Sequence, residues 1–376
     1  MKIVGIIIES NPFHNGHKYL IDQVKQHLNP DIMIALSSGY FTMRGETSLL
    51  SKKNKTQLLL DAGFDIVIDY PLYQLLNSSD FFGNNAINIL SKTNITHLAF
   101  GIESNNLNDL IQIQNIMDTN EFKTLLNSKL NNKISYKKAI QDTLKEISAF
   151  DNNSVDIIMQ SNNTLALGYL KALQKHPNIE PFTIKRYGNN EENITLNNFP
   201  SGTALRENYL NNVDISSYLP YEITKLSNFK NYELKFQTII ENLFLNNSHS
   251  YQNYLHINEG IENYIFKNYN KDLSTTENID YLANKIYSKT RIRRTLLSMI
   301  LQLPKDLNFD ENNIRILGFS KKGQEYLKYI NGNLILNIAK SDDILLNYEL
   351  KASKLYDILT NGNCFIEEFK FPLKGE

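Results

Sequence analysis

Asn11-Pro12-Phe13-His14-Asn15-Gly16-His17 places two imidazoles three positions apart, among a proline and a glycine. If the first turn after Pro12 is helical, both histidines project toward the same side. Free backbone N–H groups at a helix N-terminus bind anions, phosphate above all. Pro12 prevents a preceding strand from continuing, and Gly16 lets a ligand approach the backbone closely. A cationic imidazole is disfavoured at that end of a helix, so the useful form is a donor whose charge is supported only when phosphate is present. An isolated HxxH pair is more often two unrelated surface histidines or a weak metal hint. The strand–Pro–Gly–helix setting is what raises this one above that background.

A second constellation is Ser201-Gly202-Thr203-Ala204-Leu205-Arg206. Ser201 and Thr203 are both N-cap candidates, and a capped helix alone would explain them. Arg206 falls in or near the first turn, where a cation opposes the helix dipole. A bound polyphosphate reverses that penalty, and the guanidinium fork suits phosphate oxygens. Farther on, Lys285, Lys289, Arg291, Arg293 and Arg294 form a basic cluster interleaved with Tyr281 and Tyr287. It reads either as a solvated helix face or as a contact for a nucleic-acid backbone.

These groups need a frame. Ile3–Ile8 is a continuous apolar run of strand length, as in a strand buried on both faces. A helical pattern follows over His17–Leu28, then strands at Asp31–Leu36, Asp65–Asp69 and Thr96–Phe100, with helices at Leu49–Ala62 and Phe81–Leu90 between them. That alternation predicts a Rossmann-like parallel α/β sheet wrapped by right-handed crossovers. A polar stretch from Ser104 to Ser154 reads as inserted helices and loops. The rhythm resumes with a helix at Thr164–Leu173, a strand at Pro181–Lys185 and a helix beginning near Ser201. From about Tyr209 helical patterns dominate to about Leu303, followed by a small α/β end over Ile314–Phe319 and Leu334–Ile338. The expected organisation is a nucleotide-binding domain over 1–210 and a mainly helical domain over 211–376.

Lys+Arg is 39 and Asp+Glu 40 across 376 residues, so a globally basic nucleic-acid coat is excluded and such contact must be local. The single cysteine, Cys364, makes neither an intramolecular disulfide nor a Cys-rich zinc site, fits a reducing compartment, and is expected to serve as a packing residue. Ile3–Ile8 is too short to span a membrane, ends at Glu9 and lacks the marks of a signal peptide. A cytoplasmic location is expected, with no membrane and no obligate protein partner. His97, inside a strand, reads as structural; Arg44 has no assigned role.

H-x-G-H after the first strand resembles the signature of the nucleotidyltransferase superfamily, and a Ser/Thr-x-x-Arg element following the fifth strand resembles its triphosphate clasp. The similarity is narrower still. Glu9 through His17, Ser38-Gly39-Tyr40-Phe41-Thr42-Met43-Arg44-Gly45-Glu46, Phe100-Gly101-Ile102-Glu103, Asn162-Asn163-Thr164-Leu165, Ile184-Lys185-Arg186, Ser201–Arg206 and Thr290-Arg291-Ile292-Arg293-Arg294 resemble the bacterial tRNA(Met) cytidine acetate ligase family. Departures from that pattern are Ser10 for a usual Tyr, Ser161 for Pro and Gly202 for Ala; Ser10 bears on packing near the acetate pocket.

The resemblance implies ATP-dependent activation of acetate to acetyl-adenylate, then acetylation of N4 of the wobble cytidine of elongator tRNA(Met). It makes His14, His17 and Arg206 the catalytic groups. It assigns ATP to Ile7-Ile8-Glu9-Ser10-Asn11-Pro12-Phe13-His14-Asn15-Gly16-His17-Lys18-Tyr19-Leu20, with Gly101, Asn162, Arg186, Ser201 and Thr203, and expects Mg²⁺ beside it. Asn163 competes with Asn162. Lys285, Lys289, Arg291, Arg293 and Arg294 become the tRNA contacts, and no metal ligand is assigned to the protein itself. Two other readings stand beside this one: a small-molecule adenylyltransferase acting on a phosphorylated metabolite, and a noncatalytic tRNA-binding protein.

Overall fold

The computed structural model describes residues 1–376 except 78, 105, 131–133, 135, 148–149, 152–153, 157–158, 187–199, 246–250 and 376. Parts of the 104–154 stretch therefore lie outside the described residues.

The expected alternation is present. Strands β1 (Ile3–Ile8), β2 (Ile32–Ser38), β3 (Ile66–Tyr70), β4 (His97–Ile102) and β5 (Glu180–Lys185) pair in parallel. Their helices of eight residues or more are α1 (Asn15–Leu28), α2 (Lys52–Asp61), α3 (Ser79–Ser91), α4 (Leu107–Asp118), α5 (Asn120–Leu130), α6 (Tyr136–Ile147), α7 (Ser161–Leu173) and α8 (Gly202–Leu210). The second half adds α9 (Tyr232–Leu245), α10 (Ile261–Asn268), α11 (Thr275–Leu282), α12 (Lys289–Leu301) and α13 (Ile344–Thr360), with strands β6 (Asn313–Phe319), β7 (Asn333–Ile335) and β8 (Leu373–Lys374).

The sheet runs β5-β4-β1-β2-β3-β6-β7, with β8 on β6. From β1 the chain builds outward through β2 and β3, then returns to the other side of β1 with β4 and β5. The order reverses between β1 and β4. Ligands of open α/β sheets bind in the crevice beyond the strand ends at such a reversal. The α/β end joins the same sheet, because β6 lies antiparallel to β3.

Period-two alternation divides the strand side chains between two cores. Ile32, Ile34 and Leu36 face one, and Met33 and Ala35 the other. Both faces of the sheet are covered, which is why these strands read as unbroken apolar runs.

A buried ionic cluster ties the second half to the first. Lys52 on α2 meets Asp69 on β3 at 2.8 Å and Glu349 on α13 at 2.7 Å, while Arg315 on β6 meets Glu368 at 2.6 Å. Removing one partner strands a buried charge, a loss of about 3–5 kcal/mol. The cluster sets how α13 and β6 seat on the sheet.

Candidate active site

The site begins where β1 ends. His14 is the N-cap of α1: its backbone is still extended where the helix begins, and its Nδ1 accepts the N–H of Gly16 at 3.0 Å. His17, at the third helical position, accepts the N–H of His14 through its own Nδ1 at 3.2 Å. The pair forms a reciprocal capping box made of imidazoles. A nitrogen that accepts a hydrogen bond carries no proton, so each neutral ring holds its proton on Nε2. The two rings lie 4.0 Å apart, and Phe13 stacks against His17.

Gly16 serves this arrangement directly. A Cβ there would come within 2.8 Å of the His14 ring, so the missing side chain makes room for the folded-back imidazole. The close approach expected at Gly16 is made by His14.

Burial holds both histidines neutral. His14 is driven well below its ordinary value by desolvation, then by His17 and the cations Arg186 and Arg206. His17 falls to about 3 through desolvation, then Arg186 and Lys55. Both rings thus present Nε2–H donors without charge.

Around them lies a cavity of about 200 Å³ at the carboxyl ends of β1 and β4. Ile7, Ile8, Glu9, Ser10, Asn11, His14, His17, Leu20, Gly101, Asn162, Arg186, Ser201, Thr203 and Arg206 line it. Gly16 and Tyr19 instead border a smaller adjoining cavity with Ile184 and Pro200. Pro12, Phe13, Asn15 and Lys18 line neither. Phe13 is buried beneath His17, Asn15 donates to the Ser217 carbonyl at 3.1 Å, and Lys18 pairs with Asp22 on the exposed side of α1.

Ser201, not Thr203, caps α8, accepting the N–H of Ala204 at 3.1 Å. Thr203 instead accepts from Arg206 at 3.0 Å. Arg206 also donates to the Asn11 carbonyl at 2.7 Å, crossing from α8 to the β1–α1 turn. It also pairs with Glu46, at 2.7 Å.

The adjacent asparagines divide their work. Asn163 is fully buried, and its Oδ1 accepts the N–H groups of Glu103 at 2.8 Å and Ser104 at 3.3 Å, closing the end of β4. Asn162 lines the cavity. It donates to Glu103 at 2.6 Å and accepts from Arg186 at 2.6 Å. Gly101 makes room for that arginine, since a Cβ would lie 2.9 Å from the Arg186 Cγ.

Several wall residues had no role in the sequence reading. The 39–51 loop contributes Thr42, Met43, Arg44 and Glu46. Glu9 anchors it by accepting the Met43 N–H at 2.6 Å, while Asn11 accepts the Leu49 N–H at 2.8 Å. Burial raises the Glu9 carboxyl above its ordinary value. Phe82, Phe100, Leu165 and Tyr169 complete the apolar wall. The loop residues, Phe100 and Leu165 lay within runs already singled out by resemblance, whereas Phe82 and Tyr169 are indistinguishable in sequence from core residues.

The basic cluster is distributed over different surroundings. Lys285 is exposed. Lys289 pairs with Asp280 at 2.7 Å, and Arg291 with Glu259 at 3.0 Å while lying over the Tyr287 ring. Arg293 turns to Glu46 at 3.4 Å, and Arg294 donates to the Asn77 carbonyl at 2.6 Å. His97 contacts Thr96 and Glu180 at the far end of β4, and Cys364 is buried.

A parallel sheet with paired histidines at its first strand–helix turn defines a class. The profile of the HIGH nucleotidyl transferase family matches residues 1–369, so this chain is a HIGH nucleotidyl transferase. A tRNA(Met) cytidine acetate ligase of Staphylococcus saprophyticus is 32% identical over 99% of this chain and 99% of its own length. One of Clostridium tetani is 34% identical over 98% of each. The chain belongs to the tRNA(Met) cytidine acetate ligase family. The same fold occurs in the crystal structure of Thermotoga maritima TmcAL in its apo form, with a TM-score of 0.85 and 24% identity over 100% of this chain and 99% of that one. A second crystal form of that protein, bound with alpha-thio ATP, gives a TM-score of 0.83 at 23% identity over the same shares.

Proposed function

We propose that this protein activates acetate with ATP and transfers the acetyl group to N4 of the wobble cytidine of elongator tRNA(Met). The observation that carries the reading is the pair of neutral Nε2–H donors at the start of α1, within a cavity that also holds Arg186 and Arg206. Such donors cost no charge burial beforehand and meet negative charge as it develops on phosphate.

In the first step an acetate oxygen attacks the α-phosphorus in line, and the bond from that phosphorus to its bridging oxygen breaks. Pyrophosphate leaves with the electron pair, and acetyl-adenylate remains. His14 and His17 donate to the phosphate oxygens, while Arg206 swings its fork from Glu46 to the triphosphate. Asn162 and Arg186 close the cavity opposite α1. In the second step the cytosine amine, a weak nucleophile, takes the acyl group from an activated donor held close and dry. An anticodon base is readily unstacked to reach it.

Mg²⁺ is expected to accompany ATP. The wall carboxylates do not form a protein-held metal site: Glu9 is buried and bonded to the Met43 N–H, and Glu46 is paired with two arginines. Among the described residues no cluster of three or more His, Cys, Asp or Glu could hold a metal ion. An ion would take its ligands from phosphate and water, and no step here runs through it.

We assign the nucleotide chemistry to residues 1–210 and contact with tRNA to 211–376, through Lys285, Lys289, Arg291 and Arg293, while Arg294 is taken up by the Asn77 carbonyl. Among the described residues no helix is long and apolar enough to cross a membrane. A tRNA substrate supports a cytoplasmic location for the reaction. Purified protein, ATP, labelled acetate and tRNA test the assignment. Label on tRNA supports it; ATP consumption only with a phosphorylated metabolite replaces it with a small-molecule adenylyltransferase; the absence of both replaces it with a noncatalytic tRNA-binding protein.

A further inference from the structure

Behind the nucleotide cavity lies a second one, of about 130 Å³, which shares Glu46, Thr203 and Arg206 with the first. The 39–51 loop forms one wall. The other comes from the far half of the chain, chiefly Phe229, Tyr232 and Phe236, with Thr275 on α11 and Arg293 on α12. Aromatic walls with a few convergent polar groups are the make-up of a site for a flat, edge-polar ligand.

Three polar groups are available to such a ligand. Glu46 stands between the cavities, bonded to Arg206 on one side and Arg293 on the other. Among the described residues Arg293 makes one hydrogen bond, to Glu46 at 3.4 Å, although a guanidinium carries five N–H donors. Thr275 is 2% exposed, and its hydroxyl has no partner in the cavity wall. A buried hydroxyl without a partner is costly, and a polar ligand edge would satisfy it.

Cytosine presents an N4 amine donor beside N3 and O2 acceptors. A carboxylate accepts from N4, a guanidinium donates to the acceptors, and aromatic rings take the faces of an unstacked base. Uracil would set a carbonyl oxygen against the Glu46 carboxylate, which disfavours it.

We propose that this second cavity seats the target cytosine base, with Glu46 accepting the N4–H and Arg293 reading the neighbouring acceptors. The inference rests on the function proposed above and deepens it. Because Glu46 borders both cavities, a base bonded to it holds N4 beside the acyl-adenylate. On transfer, the N4 lone pair forms the bond to the acetyl carbon. The bond from that carbon to the phosphate oxygen breaks, its electrons leaving on AMP, and the N4 proton passes to the Glu46 carboxylate and on to water. Arg293 then reads a base instead of neutralising a phosphate.

Two measurements test this. In the first, tRNA carrying 5-iodocytidine at the wobble position, which keeps the N4, N3 and O2 edge of cytosine, is bound and irradiated. Adducts within residues 229–236, 275–279 or at Arg293 support the proposal; adducts elsewhere, or none from bound tRNA, overturn it. In the second, chemically supplied acetyl-adenylate feeds single-turnover transfer to tRNA, bypassing ATP. Glu46→Gln is expected to slow transfer about 100-fold or more, with Glu46→Asp restoring part of the rate. Phe229→Ala is expected to weaken use of tRNA roughly 5- to 150-fold, the range for losing one base–aromatic stack. Wild-type transfer by Glu46→Gln and Phe229→Ala, beside a wild-type protein active in both acetate-dependent pyrophosphate exchange and transfer, overturns the cavity alone. A wild-type protein inactive in both overturns the parent reading instead.

Discussion

The Nδ1 of His17 accepts the backbone N–H of His14 at 3.2 Å, and the two imidazole rings stand 4.0 Å apart. With Nδ1 of His14 also occupied by the Gly16 N–H, the backbone dictates the tautomer of both rings. The useful protons are fixed on Nε2 before any ligand arrives.

Replacing either ring should therefore remove a preorganised donor. His14→Ala and His17→Ala are each expected to lower acetate-dependent pyrophosphate exchange by about 10²–10³-fold, the usual loss for one such donor. His14→Ala also deletes a helix cap, worth about 0.5–2 kcal/mol. His14→Asn separates the two effects: asparagine caps well but has no Nε2–H. Its exchange activity should stay low while its melting temperature stays near wild type. Near-wild-type turnover in both alanine variants would overturn the assignment.

Stability should fall as pH drops below the ordinary histidine range. In the unfolded chain both imidazoles titrate near 6.5. In the folded chain burial lowers both, His17 to about 3. Between those values the unfolded state binds protons that the folded state refuses, so acidification favours unfolding. Above about pH 7 both states are neutral and the contribution is flat. Urea midpoints at pH 5 and 7.5 test this against a double variant, His14→Asn with His17→Gln, whose drop should be smaller. Raised carboxyls such as Glu9 are common to both proteins and cancel in the comparison. An equal drop in both proteins would show that the histidines titrate normally when folded.

The frame was legible because β1 to β4 are buried on both faces, which leaves apolar runs that need no partner to be recognised. Paired histidines at a strand end and an arginine after Ser201 were legible because each sits in an unusual electrostatic position along its helix. Glu46 was not. Its significance lies in facing Arg206 and Arg293, 160 and 247 positions away in the chain, and no local pattern signals such a meeting. The second half hid its place for the same reason. Ile314–Phe319 reads as a strand, but its pairing with β3 depends on a register fixed by Lys52, Asp69, Arg315 and Glu368 across the whole chain.

The neighbouring asparagines should fail in different ways. Asn163 is fully buried and satisfies two backbone N–H groups, so Asn163→Ala leaves both without that acceptor. A loss of about 1–3 kcal/mol per stranded group is expected, read as a lower melting temperature. Asn162 bridges Glu103 and Arg186 at the cavity wall. Asn162→Ala should leave the melting temperature almost unchanged and raise the KM for ATP about tenfold, the equivalent of one charge-assisted hydrogen bond. Matching losses of stability in the two variants would remove the distinction.

The basic residues around α12 should likewise separate. Lys289 and Arg291 form partly exposed pairs with Asp280 and Glu259, and such pairs contribute little to stability. Either side chain can exchange its carboxylate for a tRNA phosphate. Arg294 is committed to the Asn77 carbonyl and faces Arg291, and burial lowers its guanidinium to about 10. Lys289→Ala and Arg291→Ala should each weaken tRNA binding and reduce the slope of log K against log salt by about 0.7–0.9, one released counterion apiece. Arg294→Ala should leave that slope unchanged and lower thermal stability, because it removes the donor to a partly buried carbonyl. Filter binding across a salt titration, beside melting curves, distinguishes the two behaviours. Unchanged slopes in Lys289→Ala and Arg291→Ala would mean that this end of α12 does not touch the tRNA backbone.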